Sequence, residues 1–359
     1  MRDWKIDFCR AVAVLLIVVL HAWGAASQYG VEGTVEWTVW KFLGVNGVVG
    51  MYALFVLSGF LMFQVPGERF QVPGVRFQVW GGKIWRRVKR LAVPYLCWNV
   101  VFVVFFLAVG KLFPRAGARV AEYGLDTWSG ALAKIGGFLT MPIDFPLWYI
   151  RTIFVFALTA PVVGFLLKSR VGRWIGLGLV ADYYLAVEEL KVLPNVQAYP
   201  AFAMLLWYVG GMIVGASRRD ADDTVKAGFL EMFRSRWWIA VGLVGFVLDG
   251  LEAMGIGNWL SFNSRMIFKA ALFLHLMSKL PSRQISGLPS FSFFVYCGHF
   301  LFCSVWVHLL GPKLVGIGTG CESVLMFMFI VPGLALTAAV YAAGKKFCPK
   351  ALRLLDGTM

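Results

Sequence analysis

Charge is scarce in this sequence. Asp, Glu, Lys and Arg make up 15% of its 359 residues, against roughly 25% in a soluble domain. Apolar residues take their place, at 59%, and they run along the whole chain. That pattern excludes a soluble globule with one anchor and points to a polytopic membrane protein. Acidic residues are the scarcer sign, 19 against 34 basic, for a formal charge of +15. In membrane proteins such an excess sits in cytoplasmic loops, so it does not argue for nucleic acid. The 6 cysteines include no CxxC pair and no zinc spacing, so neither a disulfide framework nor a metal site is expected. No GxSxG, HExxH, P-loop or GxGxxG motif stands in a credible context.

What is present is a series of apolar stretches near the roughly 20 residues that span a bilayer: 8–27, 45–64, 92–112, 147–167, 172–187, 197–216, 238–255, 262–279, 290–310 and 322–344. The fold expected is all-α and polytopic, with about ten transmembrane helices in a single domain covering 1–359. Arg2 and Lys5, the apolar run Ala11–Leu20 and the small residues after it resemble a signal peptide, but Asp7 and Arg10 intrude, so the segment is expected to stay as a helix. With the N-terminus inside, most Lys and Arg fall in the inside loops, above all between Arg69 and Arg90, between Arg218 and Arg236 and from Lys345 on, which places both termini in the cytoplasm. The repeated unit in FQVPGERFQVPGVRFQVW, Phe63–Trp80, reads as a turn-rich or hairpin-like excursion. The outside segment 113–146 is long enough to fold back as a lid or re-entrant piece.

The first apolar segment, DFCRAVAVLLIVVLHAW, keeps Arg10 near one end and His21 near the other. Eleven positions correspond to about 1100°, three turns plus roughly 20°, so the two share one helical stripe about 16 Å apart along the axis. Asp7 is placed to pair with Arg10 at i, i+3. An ionisable residue at the depth of His21 is costly unless it faces a polar cavity or a partner.

Several stretches, in order, resemble the integral-membrane acyltransferase 3 family. IDFCRAVAVLLIVVLH resembles its opening helix, with Arg, ten residues, then His. LFVLSGFLM (Leu54–Met62) resembles the second helix, WRRVKRLAVPYLCW (Trp85–Trp98) the basic run and Pro-Tyr of the third, PLWYIRTIFVFALTAP (Pro146–Pro161) the Leu-Trp-Phe-x-Arg segment, and FSFFVYCGHF (Phe291–Phe300) a late helix with Tyr and His. The resemblance implies a bacterial inner-membrane O-acyltransferase, its donor a cytoplasmic acyl-CoA (acetyl-CoA above all) and its acceptor a sugar hydroxyl of a surface polysaccharide or lipid-linked glycan. No permanently bound cofactor is implied. The family's His falls on His21 and its Arg on Arg10. Some members carry an extracytoplasmic hydrolase-like domain; this chain has no room for one, so the membrane unit would act alone.

The residue types fit that chemistry independently. Transfer to a hydroxyl needs a base, and neutral His suits pH 7; donors or positive charge must meet the developing oxyanion. A covalent acyl-His is an equal alternative. His299 joins His21 as a candidate because both lie deep enough to flank one cavity, although packing beside Tyr296 is its plain alternative. Arg86, Arg87, Lys89 and Arg90, with Lys83, read either as an inside-loop signal or as a dock for coenzyme A phosphates. Ser58 is grouped with the donor-contact residues, although close packing beside Gly59 suits it better than nucleophilic attack. Trp148, Tyr149, Arg151 and Tyr296 are candidates for the sugar; the plain alternative for Arg151 is a snorkelling anchor. Arg265 and Lys269 call for acids from a neighbouring helix. The rival function is a transporter or exporter of glycan or lipid.

Overall fold

The structure is a computed structural model that describes residues 4–64, 76–112, 120, 123–137, 141–192, 200–217, 229–256, 260–280, 285, 287–314 and 321–358. Among these residues the chain is helical and has no strand. In order the helices are α1 (Trp4–Ala26), α2 (Val35–Asn46), α3 (Val49–Phe63), α4 (Arg76–Leu112), α5 (Trp128–Gly136), α6 (Trp148–Leu166), α7 (Arg170–Tyr184), α8 (Ala201–Ser217), α9 (Trp237–Ala253), α10 (Phe262–Lys279), α11 (Leu288–Leu314), α12 (Cys321–Phe347) and α13 (Pro349–Asp356). Each of the apolar segments expected to be helical overlaps one of them.

Among the described residues, five stretches are long and apolar enough to cross a membrane: Trp4–Ala26, Val35–Phe63, Lys89–Lys111, Phe145–Leu166 and Glu322–Phe347. The protein is therefore a multi-pass membrane protein. Fewer stretches qualify than the ten segments would supply, for local reasons. α7 and α9 have 15 and 17 residues, short of the roughly 20 needed, and α10 carries Arg265, Lys269 and Lys279 in 18 residues.

Two boundaries differ from expectation. The third apolar segment begins well before residue 92, because α4 starts at Arg76 and runs for 37 residues. Arg and Lys are good helix formers, so the basic run lies on a helix and not in a loop, and the last residues of the FQVPG repeat are its first turn. Residues 65–75 of that repeat lie outside the described residues. The second segment is split at Gly47. A Cβ there would overlap the Leu16 carbonyl, so the glycine lets the chain approach the α1 backbone where α2 gives way to α3.

The chain divides into two compact units. The first comprises 1–20, 43–80 and 156–289. Its centre is the α3–α8 pair, which small residues bring into backbone contact: a Cβ on Gly59 would overlap the Trp207 carbonyl, and one on Gly210 the Val56 carbonyl. Tyr52 stacks on Phe202 at 4.7 Å, and Phe63 meets Trp207 at 5.1 Å. Gly59→Ala is expected to lower stability by about 1–3 kcal/mol, the usual cost of overpacking, read as a lower thermal unfolding midpoint in detergent. The acids expected to face Arg265 and Lys269 come from α9. Arg265 lies 2.8 Å from Asp249 and 2.6 Å from Glu252, and Lys269 pairs with Asp249.

The second unit comprises 21–42, 81–155 and 290–359. The described part of the outside segment includes α5, capped by the Thr127 hydroxyl and ended by Gly137 in the left-handed region (φ 61°). The α1–α2 connection is tied to α12: the Val31 N–H donates to Glu322 at 2.7 Å and Trp40 Nε1 donates to Ser323 at 2.8 Å. On α4, Trp98 Nε1 donates to the Leu355 carbonyl of α13 at 3.0 Å.

Candidate active site

The site belongs to the second unit, and α11 supplies its most constrained residue. Tyr296 and His299 are three residues apart and so share a face. His299 is fully buried. Its Nδ1 lies 2.8 Å from the Tyr296 carbonyl and 3.1 Å from that of Val295. Carbonyl oxygens only accept, so Nδ1 carries the proton and Nε2 keeps its lone pair. Among the described residues that Nε2 has no hydrogen-bond partner.

The last turns of α1 bring His21 to this ring, with centroids 5.2 Å apart and planes tilted by 40°. Phe145 and Phe300 close around His21 at 6.2 and 5.7 Å, both edge-on. His21 is half-buried and Phe145 is exposed, so the histidine pair is not sealed from the surface. The expectation that the two histidines flank one space is thereby given a geometry.

A short stretch before α6 forms the other wall. Asp144 precedes a 3₁₀ turn, Phe145–Leu147. Its N–H donates to Asn99 Oδ1 at 3.2 Å, and Asn99 Nδ2 donates to the Tyr95 carbonyl at 2.9 Å, one turn earlier on α4. Tyr95 in turn donates to the Gly136 carbonyl at 2.9 Å. The Tyr296 hydroxyl donates to the Pro146 carbonyl, and Tyr149 meets the Tyr296 ring edge at 5.7 Å. The site thus gathers His21, His299, Tyr296, Tyr149 and the Asp144–Pro146 turn, with Trp148 half-buried at the start of α6.

Other candidates lie elsewhere. Arg151 is 1% exposed and donates to the Gly137 carbonyl, with Met141 Sδ 3.6 Å from its other terminal nitrogen. It braces the approach to the turn and does not snorkel. Arg10 pairs with Asp7 at 3.9 Å, as expected. It is about 16 Å along α1 from His21, so its guanidinium is no part of the histidine cluster. Ser58 belongs to the first unit, where its hydroxyl donates to the Phe55 carbonyl at 2.8 Å. Arg86, Lys89 and Arg90 are exposed on the first half of α4, and the side chain of Arg87 lies outside the described residues. Arg90 is nine positions from Asn99, about 14 Å along the helix. Asn99 and Asp144 were not anticipated. The signal available was polarity out of place: an amide inside the apolar run of α4, and a carboxyl in the otherwise apolar MPIDFPLW.

Residues 3–343 match the acyltransferase 3 family, described as an acyltransferase domain. No curated protein and no solved structure matches the chain. A match over nearly the whole length, on a chain with this set of membrane-crossing helices, makes the protein a member of the acyltransferase 3 family and a membrane acyltransferase.

Proposed function

We propose that the protein transfers an acyl group, acetyl foremost, from cytoplasmic acyl-CoA to a sugar hydroxyl of a surface polysaccharide or lipid-linked glycan at the bacterial inner membrane. The observation that carries this reading is the histidine pair, with an Nε2 on His299 that can only accept. In this reading His21 is the general base. With the acceptor bound, the rings would close so that His299 Nε2, without a partner among the described residues, accepts from one His21 nitrogen and turns the other, as a lone pair, toward the acceptor hydroxyl. His21 takes the hydroxyl proton while the oxygen attacks the thioester carbonyl. As the tetrahedral intermediate collapses, the C–S bond breaks and the sulfur leaves with the proton from His21. Neutral imidazole is restored and free thiol is released. Tyr149, Trp148 and Tyr296 offer ring faces and a hydroxyl to the sugar. Arg86, Arg87, Lys89 and Arg90 take the coenzyme A phosphates, and α4 leads from them toward Asn99.

The test is transfer of radiolabel from acetyl-CoA to a glycan acceptor by purified protein in proteoliposomes, with thiol release followed in parallel. Glycan movement across the membrane without thiol release would favour a transporter instead. Thiol release preceding acceptor addition would assign a covalent acyl-His21 step. For the dock, Arg86→Ala with Arg90→Ala is expected to raise KM for acetyl-CoA about tenfold at low salt, less at high salt as screening removes the phosphate attraction. KM for the acceptor should stay unchanged; an equal rise in both would dismiss the dock.

A further inference from the structure

Asp144 is fully buried, and neither carboxyl oxygen has a hydrogen-bond partner among the described residues. Burying a carboxyl without partners is costly, and folded proteins hold few such groups. The plain explanation would be a cap, since Asp144 sits at the N-terminal position of the 3₁₀ turn. Its side chain makes no capping bond. Nor can the stretch easily relax. The Asp144 N–H is held by Asn99, the Phe145 ring lies against His21, and the Pro146 carbonyl is held by Tyr296, whose ring is 6.4 Å from that of His299. The carboxyl is within electrostatic reach of the Tyr296 hydroxyl and the Cys297 thiol. Asp144 lies just before the membrane-crossing stretch Phe145–Leu166, and burial pushes its carboxyl well above the usual carboxylate range. A neutral carboxylic acid has an O–H to donate, and among the described residues it has no acceptor. His299 Nε2, in the same unit, is likewise a buried lone pair with no donor among the described residues.

We propose that Asp144 is a catalytic residue of the acyl transfer, donating its carboxyl O–H to the thioester carbonyl oxygen as that oxygen gains charge. The inference rests on the acyl-transfer reading. As the acceptor oxygen bonds to the carbonyl carbon, the π pair moves onto the carbonyl oxygen, where the Asp144 O–H meets it; the hydroxyl proton is by then on His21. When the carbonyl reforms, the C–S bond breaks, sulfur leaves with that bonding pair, and the proton passes from His21 to sulfur. Asp144 ends protonated, as it began, and no net proton is taken up. A neutral donor suits this place because it needs no counter-ion in an apolar surround, and a preorganised donor aimed at an oxyanion is among the largest contributions to acyl-transfer rates.

The test compares wild type, Asp144→Asn and Asp144→Leu in proteoliposomes given acetyl-CoA and simple hexopyranosides. Thiol release, label transfer and thermal unfolding are measured. Asp144→Asn keeps an N–H donor in the same shape and should hold kcat within about tenfold of wild type. Asp144→Leu should lose on the order of 10²-fold or more in kcat with KM for acetyl-CoA unchanged, the scale of a missing oxyanion donor. A folded Leu variant with wild-type kcat, or a folded Asn variant as inactive as the Leu one, would overturn the proposal. Infrared difference spectra give a readout that does not need the Leu variant to fold. Binding an unreactive acetyl-CoA analogue, with CH2 in place of sulfur, should shift a protonated-carboxyl C=O band that is missing from Asp144→Asn. No such band, or one that ignores the analogue, would also overturn it. Wild type that releases no thiol and transfers no label would instead sink the acyl-transfer reading and this inference with it.

Discussion

Alanine in place of His21 is expected to lower acyl transfer by about 10²–10⁴-fold, the range over which a positioned general base acts, while acetyl-CoA binding changes little. The imidazole is the half-buried member of the pair, next to the exposed Phe145, so it is the ring an acceptor can reach. His299 is enclosed, with its Nδ1 proton committed to backbone carbonyls. The fold should survive the change, because His21 makes ring contacts at 5.2 to 6.2 Å and its removal breaks no ion pair among the described residues. An unfolding midpoint near that of wild type is the control. The pair also makes a sharper demand. If His299 acts by holding the His21 tautomer, His299→Ala should cost less than His21→Ala, and the double variant should be no worse than His21→Ala alone. Additive losses would mean two independent roles, and full transfer by His21→Ala would end the base reading.

The first helix was legible because its information is local. Helical periodicity alone puts Arg10 and His21 on one stripe, and i, i+3 spacing alone pairs Arg10 with Asp7. The partners of Arg265 and Lys269 were legible in kind, since buried cations require acids, but not in name. That Asp249 meets both depends on how α9 packs against α10. The active-site wall was less legible for the same reason. Asn99 and Asp144 are 45 residues apart, and no periodicity connects an amide inside α4 to a turn before α6. For Arg151 the sequence left a sugar-site residue and an interfacial anchor both open, because an Arg near a helix end beside Trp and Tyr has the composition of either. Its burial and its contact with the Gly137 carbonyl, neither of which is local in sequence, show that it faces inward.

The largest stability effect is expected from Asp249→Ala. Lys269 is 2% and Arg265 5% exposed, and one carboxylate serves both. Removing it leaves Arg265 with Glu252 at 2.6 Å, but Lys269 keeps no counter-ion among the described residues, with the Asn46 amide oxygen at 2.7 Å and the Phe246 ring face 4.6 Å away. A buried charge stripped of its counter-ion costs about 3–5 kcal/mol. Because 31% of the Asp249 side chain is exposed, water reaches part of the site, and roughly 2–4 kcal/mol is the better figure. Asp249→Asn, which keeps an acceptor without the charge, should fall between wild type and Asp249→Ala. Glu252→Gln should cost under about 1 kcal/mol, since its side chain is 42% exposed and exposed pairs are weak. The decisive variant is the double replacement Asp249→Leu with Lys269→Met. If the penalty in Asp249→Ala comes from an orphaned ammonium, removing both charges should recover most of the lost unfolding midpoint. A double variant as unstable as the sum of the singles would show that the cost lies in packing between α9 and α10 and not in charge.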